Sequence, residues 1–132
     1  MPEKSTLVIL DDKETWNKKS NIIAHWNKVD VTPGHVSLPR KVDEQIFQIK
    51  SEYLTWLFEL GQYKINNNTL TSYLKIFDNL SFWWLTKIAA KNPHTPGIYQ
   101  VFKLRALEKL YFENKCNELV YCGSNWSLHQ TL

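Results

Sequence analysis

The sequence predicts an α/β chain, rich in helix and poor in strand, that opens a larger doubly wound domain. Three observations predict it. Thr6-Leu7-Val8-Ile9-Leu10 is a short β-rich apolar run that ends in Asp11-Asp12. Leu119-Val120-Tyr121-Cys122 is a second such run, closed by Gly123. Between them the chain carries helical spacing and loop composition. Two strands joined by a long helical crossover are expected to lie parallel. A parallel sheet needs several strands with both faces covered. Residues 1–132 are therefore expected to form a single partial domain, the N-terminal portion of something larger.

The first strand puts Asp11 and Asp12 at its carboxyl end, where open α/β sheets bind ligands. The alternative is that one of them caps the next turn or helix. Glu14 to Trp26 is expected to be a helix, with Trp16, Ile22, Ile23 and Trp26 inward. Residues 27–40 contain Pro33, Gly34 and Pro39 and read as a loop, with His35 solvated in it. Val42, Ile46, Ile49, Tyr53, Trp56 and Leu60 step by three and four, which predicts an amphipathic helix ending at Gly61. Gln62 to Asn68 is a polar connector, and Thr69 to Asp78 a short helix.

Ser81 to Pro93 holds two adjacent tryptophans. Serine can cap a helix there, Phe82, Leu85, Ile88 and Ala89 share one face, and Asn92-Pro93 ends it. Trp83 and Trp84 cannot both lie on that face. At least one must meet a second surface, whether another helix, a partner or a ligand. Thr95-Pro96 then opens a helix running to about Asn114. Its broad inner face holds Ile98, Val101, Phe102, Leu107, Leu110 and Tyr111, with Arg105 partly at the edge. After the second strand, Ser124-Asn125 is placed to cap a final helix from Trp126.

An apolar fraction of 43% is enough for a core and excludes a disordered chain. The net charge of +3 comes from lysines interleaved with acids, so no stripe tracks phosphates and nucleic acid is not an expected partner. Leu7 to Leu10 is too short for a signal-peptide core or a membrane span. A cytoplasmic location follows, with at most a peripheral contact at the inner face of the cell membrane through exposed tryptophans. Cys116 and Cys122 are expected to be free thiols.

No glycine-rich phosphate loop, zinc spacing or nucleophile elbow is present, and the four histidines do not pair along the sequence. No metal, cofactor or catalytic residue is assigned. Lys87, Lys91, Lys103 and Arg105 could form an anion-binding face. They could equally be basic residues favoured near a helix C-terminus. His94 and Thr95 open the next helix, whose first amides suit an anion. The candidate ligand-contacting residues are thus Asp11, Asp12, Trp83, Trp84, Lys87, Lys91, His94 and Thr95.

The string Leu80-Ser81-Phe82-Trp83-Trp84-Leu85-Thr86-Lys87-Ile88-Ala89, with Lys91 and then Ile98 to Glu108, resembles the N-terminal region of bacterial surface carbohydrate biosynthesis proteins. The Trp26-Asn27 pair and Glu52 to Leu57 add to the likeness, which covers most of residues 7–128. These proteins look like glycosyltransferases that build O-antigen, lipopolysaccharide or capsule. The resemblance implies two Rossmann-like lobes of the GT-B type, with the active site between them. This chain would be the start of the first, acceptor-side lobe. A nucleotide-sugar donor and a glycan acceptor would be partners of the whole protein, and the chain alone is not expected to be active. The alternative reading is a non-catalytic interaction module that meets a protein partner, or a missing C-terminal lobe, through the Trp83/Trp84 helix.

Overall fold

A computed structural model describes residues 5–11, 14–18, 22–78, 80–85 and 96–132. In chain order the elements are β1 (Thr6–Leu10), β2 (Ile22–His25), β3 (Val36–Ser37), α1 (Leu38–Glu44), α2 (Ile46–Gln62), β4 (Lys64–Ile65), β5 (Asn68–Thr69), α3 (Leu70–Tyr73), β6 (Lys75–Phe77), β7 (Leu80–Ser81), a 3-10 turn (Phe82–Leu85), α4 (Pro96–Glu113), β8 (Glu118–Cys122) and α5 (Trp126–Thr131). The chain divides into two compact units, Met1–Gln45 with Phe102–Leu132, and Ile46–Val101.

The first unit is built on a four-stranded sheet of order β3-β2-β1-β8, parallel throughout, so the α/β expectation holds. The two predicted strands are direct neighbours, with Thr6 opposite Glu118 and Leu10 opposite Cys122. Leu7, Val8, Ile9 and Leu10 are all buried, as a strand paired on both edges and covered on both faces requires. On one face Leu7, Ile9 and Ala24 pack with Leu107 and Leu110 of α4 and Leu128 of α5. Asn125 caps α5 as predicted, its side chain accepting from the Leu128 N–H at 3.1 Å.

Two expectations in this unit are corrected. The helix expected over Glu14 to Trp26 is absent among the described residues there, and Ile22–His25 is a strand in register with Leu7–Leu10. Its helical pattern was weak, and β1 offered an edge whose polar groups had to be paired. Residues 27–40 are not all loop. Ser37 ends β3 and caps α1, its hydroxyl oxygen accepting from the Arg40 N–H at 3.3 Å. Pro39 sits in the first turn, where its missing N–H costs nothing.

The stripe from Val42 to Leu60 does not form one helix, because the chain breaks at Gln45 between α1, in the first unit, and α2, which opens the second. Leu57 rather than Trp56 is the buried residue of the later turns. Gly61 lies inside α2, not beyond it. A Cβ there would stand 2.9 Å from Thr71 Oγ1 and 3.1 Å from Trp83 Nε1, so it is close packing that calls for glycine.

The polar connector is a hairpin of β4 and β5. Asn66 and Asn67 both have positive φ, at 49° and 67°, as a two-residue mirror-image turn requires. Asn67→Val should destabilise the chain by about 1 kcal/mol, since a β-branched residue is strained there; urea unfolding checks it. The helix expected over Thr69 to Asp78 shrinks to the single turn of α3, capped by Thr69, before the chain extends into β6. The tryptophan segment opens as β7 and a 3-10 turn rather than as a helix from Ser81. Trp83, not Phe82, turns inward. It is 3% exposed and packs with Leu57. Ser81 fixes it, donating to Thr71 O at 2.5 Å and accepting from the Trp83 N–H at 3.3 Å.

The α4 expectation holds for Ile98, Phe102, Leu107 and Leu110, which are buried. Val101 is exposed instead and Lys103 is buried, while Arg105, expected partly at the edge, is exposed and paired to Glu108. Among the described residues no helix is long and apolar enough to cross a membrane.

Candidate functional site

Strand order reverses between β1 and β8. From β1 the sheet grows one way through β2 and β3, and β8 adds on the other side. The carboxyl ends of the strands flanking such a switch point form the crevice where open α/β sheets take ligands. Asp11 stands there. Its N–H donates to Cys122 O at 3.0 Å, which extends the β1–β8 ladder by one step. Its carbonyl accepts from the Glu14 N–H at 3.2 Å.

The Asp11 carboxylate is held from two sides. The Asn27 amide donates to its Oδ1 at 3.2 Å. The Tyr121 hydroxyl, on β8, is hydrogen-bonded to Asp11 and also accepts from the Asn125 N–H at 3.2 Å. Burial pushes the Tyr121 phenol above its ordinary 10.0. The Asn125 N–H works against this, and the Asp11 charge adds to it. Tyr121 therefore stays a neutral donor at physiological pH. Gly123 makes room for this pair. A Cβ there would lie 2.8 Å from Asp11 Cβ and would overlap the Tyr121 hydroxyl.

Behind Asn27 stands Lys103, 2% exposed. Its ammonium donates to Asn27 Oδ1 at 2.9 Å and to Trp26 O at 3.3 Å, and sits 4.6 Å from the Trp26 ring centroid. A buried cation needs such partners, because desolvation alone would drive the proton off. Asn27 thus bridges a buried positive charge and a solvent-reaching carboxylate. Beyond β8, Trp126 is 69% exposed and stacks on His129, with ring centroids 5.6 Å apart. Chemically, the carboxyl end of β1 and β8 offers a fixed carboxylate and a phenol, groups that hydrogen-bond hydroxyls.

Of the sequence candidates, Asp11 is in this crevice and Trp83 is in the core of the second unit. Asp12, Lys87, Lys91, His94 and Thr95, and the side chain of Trp84, lie outside the described residues. Sequence reasoning did not place Asn27, Tyr121 and Gly123 in a site, and it set Lys103 on a possible anion-binding face with Lys87, Lys91 and Arg105 rather than in the interior. Lys103 was findable: it stands four and seven residues before Leu107 and Leu110, on their stripe. The expectation that histidines do not pair is also corrected, since His25 and His35 are hydrogen-bonded at 2.8 Å.

The fold and the crevice define an α/β protein with a parallel sheet and a polar cluster at its switch point. Comparison with protein-family models, with curated proteins and with solved structures finds no match.

Proposed function

We propose that this chain is the opening part of a GT-B-like glycosyltransferase of bacterial surface carbohydrate biosynthesis, and that the crevice at Asp11 belongs to its acceptor side. The observation that carries the reading is the reversal of strand order between β1 and β8, with the Asp11 carboxylate held at that point. In this role Asp11 accepts hydrogen bonds from sugar hydroxyls, and Tyr121 and Asn27 keep it aimed. The resemblance of the Leu80–Ala89 string to surface carbohydrate biosynthesis proteins supports the reading.

Calorimetric titration with an oligosaccharide of a surface-polysaccharide repeat tests it. Binding should weaken at least about tenfold in Asp11→Ala, which corresponds to about 1.4 kcal/mol. Nucleotide sugars should not bind this chain, because their site is expected on the second lobe. Glycan binding that ignores Asp11→Ala would move the ligand away from the switch point, and no glycan binding at all would overturn the reading.

A second reading has its own observation. The second unit exposes large apolar side chains, among them Phe47, at 89%, and Phe58 on the same face of α2. A protein-interaction role would use these residues rather than the buried Trp83.

A further inference from the structure

The carboxyl end of β2 carries a feature outside the crevice. His25 is 7% exposed. Its Nε2 lies 2.8 Å from Nδ1 of His35, and the two rings stack with centroids 5.1 Å apart. Its other nitrogen, Nδ1, is buried without a hydrogen-bond partner among the described residues. His35 comes from the loop that follows β2 and returns to β3. Within that loop the His35 N–H donates to Thr32 O at 3.0 Å, and the Ser37 hydroxyl donates to Lys28 O at 2.6 Å. Asp30 pairs with Arg40 at 3.1 Å on the surface, where such a pair contributes little.

Counting protons shows what this geometry permits. Two neutral imidazoles carry two protons on four nitrogens, and the short contact needs one proton between the rings. With both rings neutral this is satisfied. A third proton has only two places to go. It can leave an N–H on the buried, unpartnered Nδ1 of His25, which is costly. Otherwise it sets two N–H groups against each other across the contact, and the rings must part. His35, on the loop, is the ring free to swing away.

We propose that His25 and His35 form a proton-operated latch that holds the loop of residues 27–35 on the end of β2 while both rings are neutral and releases it on acidification. The loop begins at Asn27, which reaches Asp11, so release loosens the Asn27 tie on that carboxylate. The latch itself does not depend on Asp11 meeting a ligand.

The surroundings favour the neutral pair. Burial pushes His25 below its ordinary 6.5, and His35 and Lys28 push the same way. In register beside it, β1 offers the apolar Leu10 and β3 the neutral Ser37. The open state therefore binds more protons than the closed one just below pH 6.5. Closure is fully favoured above that value and is lost as pH falls from it toward the lowered value of His25.

The test is a pH titration of the isotopically labelled full chain by NMR, between about pH 7.5 and 5, a range that brackets an ordinary histidine. The His25 ring signals should change in one transition below 6.5. Over the same range, amide protection in residues 27–35 should fall about tenfold or more after correction for intrinsic exchange, while that of β1 and β8 does not. In His35→Phe this step should vanish. A His25 transition with unchanged loop protection would overturn the latch, as would a protection step that persists in His35→Phe. None of these readouts involves a glycan, so the latch and the proposed function fail independently.

Discussion

Lys103→Ala is expected to cost about 3 kcal/mol of stability, the middle of the range for truncating a long buried side chain. Two terms add. The lysine stem is packed in the first unit, with the residue 2% exposed, so truncation leaves a cavity. The ammonium also donates to Trp26 O and Asn27 Oδ1, and removing a donor leaves a buried acceptor to bear its own desolvation cost. Lys103→Met separates the terms. It keeps most of the volume and drops the donors, so it should cost about 1–2 kcal/mol. Urea midpoints at unchanged m would measure both. A methionine variant as stable as the parent would mean that the cost of burying the cation cancels its hydrogen bonds. An alanine variant within a few tenths of the parent would refute the packing argument.

Gly123→Ala is the second large effect. The φ of Gly123 is not positive, so the backbone would accept alanine. Space is what forbids it. The new methyl would meet the Tyr121 hydroxyl and stand 2.8 Å from Asp11 Cβ. Neither neighbour yields easily, since the tyrosine ring is rigid and Asp11 is fixed by its backbone bond to Cys122. Overpacking of this kind costs about 1–3 kcal/mol. A displaced ring would also leave its half-buried place, and the phenol would titrate closer to its ordinary 10.0. Alkaline titration of Tyr121 by NMR would show that fall. An alanine variant of parental stability whose Tyr121 titrates as before would show that the crevice has room to spare.

What the sequence made legible were the elements with strong local signals. β1 and β8 are unbroken apolar runs, α4 has a long periodic face, and Asn125 is a good cap residue. What it hid depends on distant partners. β2 has only four residues, and its strand character comes from lying beside β1. Pro39 suggested a loop because proline breaks helix interiors, yet it occupies a first turn. The mirror-image turn at Asn66-Asn67 lacks the glycine that usually marks one. Asp11 could be placed as soon as β1 was read. Its companions come from three other stretches, the end of β2, the interior of α4 and the end of β8, and no spacing rule connects them. The same holds for His25 and His35, which only the return of the chain to β3 brings together.

The pairing of Thr6 with Glu118 has a consequence for biosynthesis. β1 is made first, but one of its edges waits for β8, whose residues follow only after the whole of the second unit has been translated. At about 5–20 residues per second, that wait is on the order of 5–20 s. During it the most apolar strand of the chain has an unpaired edge, which is the condition that invites wrong partners. The second unit makes its own hairpins from neighbouring residues and can form in that interval. The β1–β8 pairing, with Asp11 and Tyr121 at its carboxyl end, thus forms only after the residues of the second unit have been made.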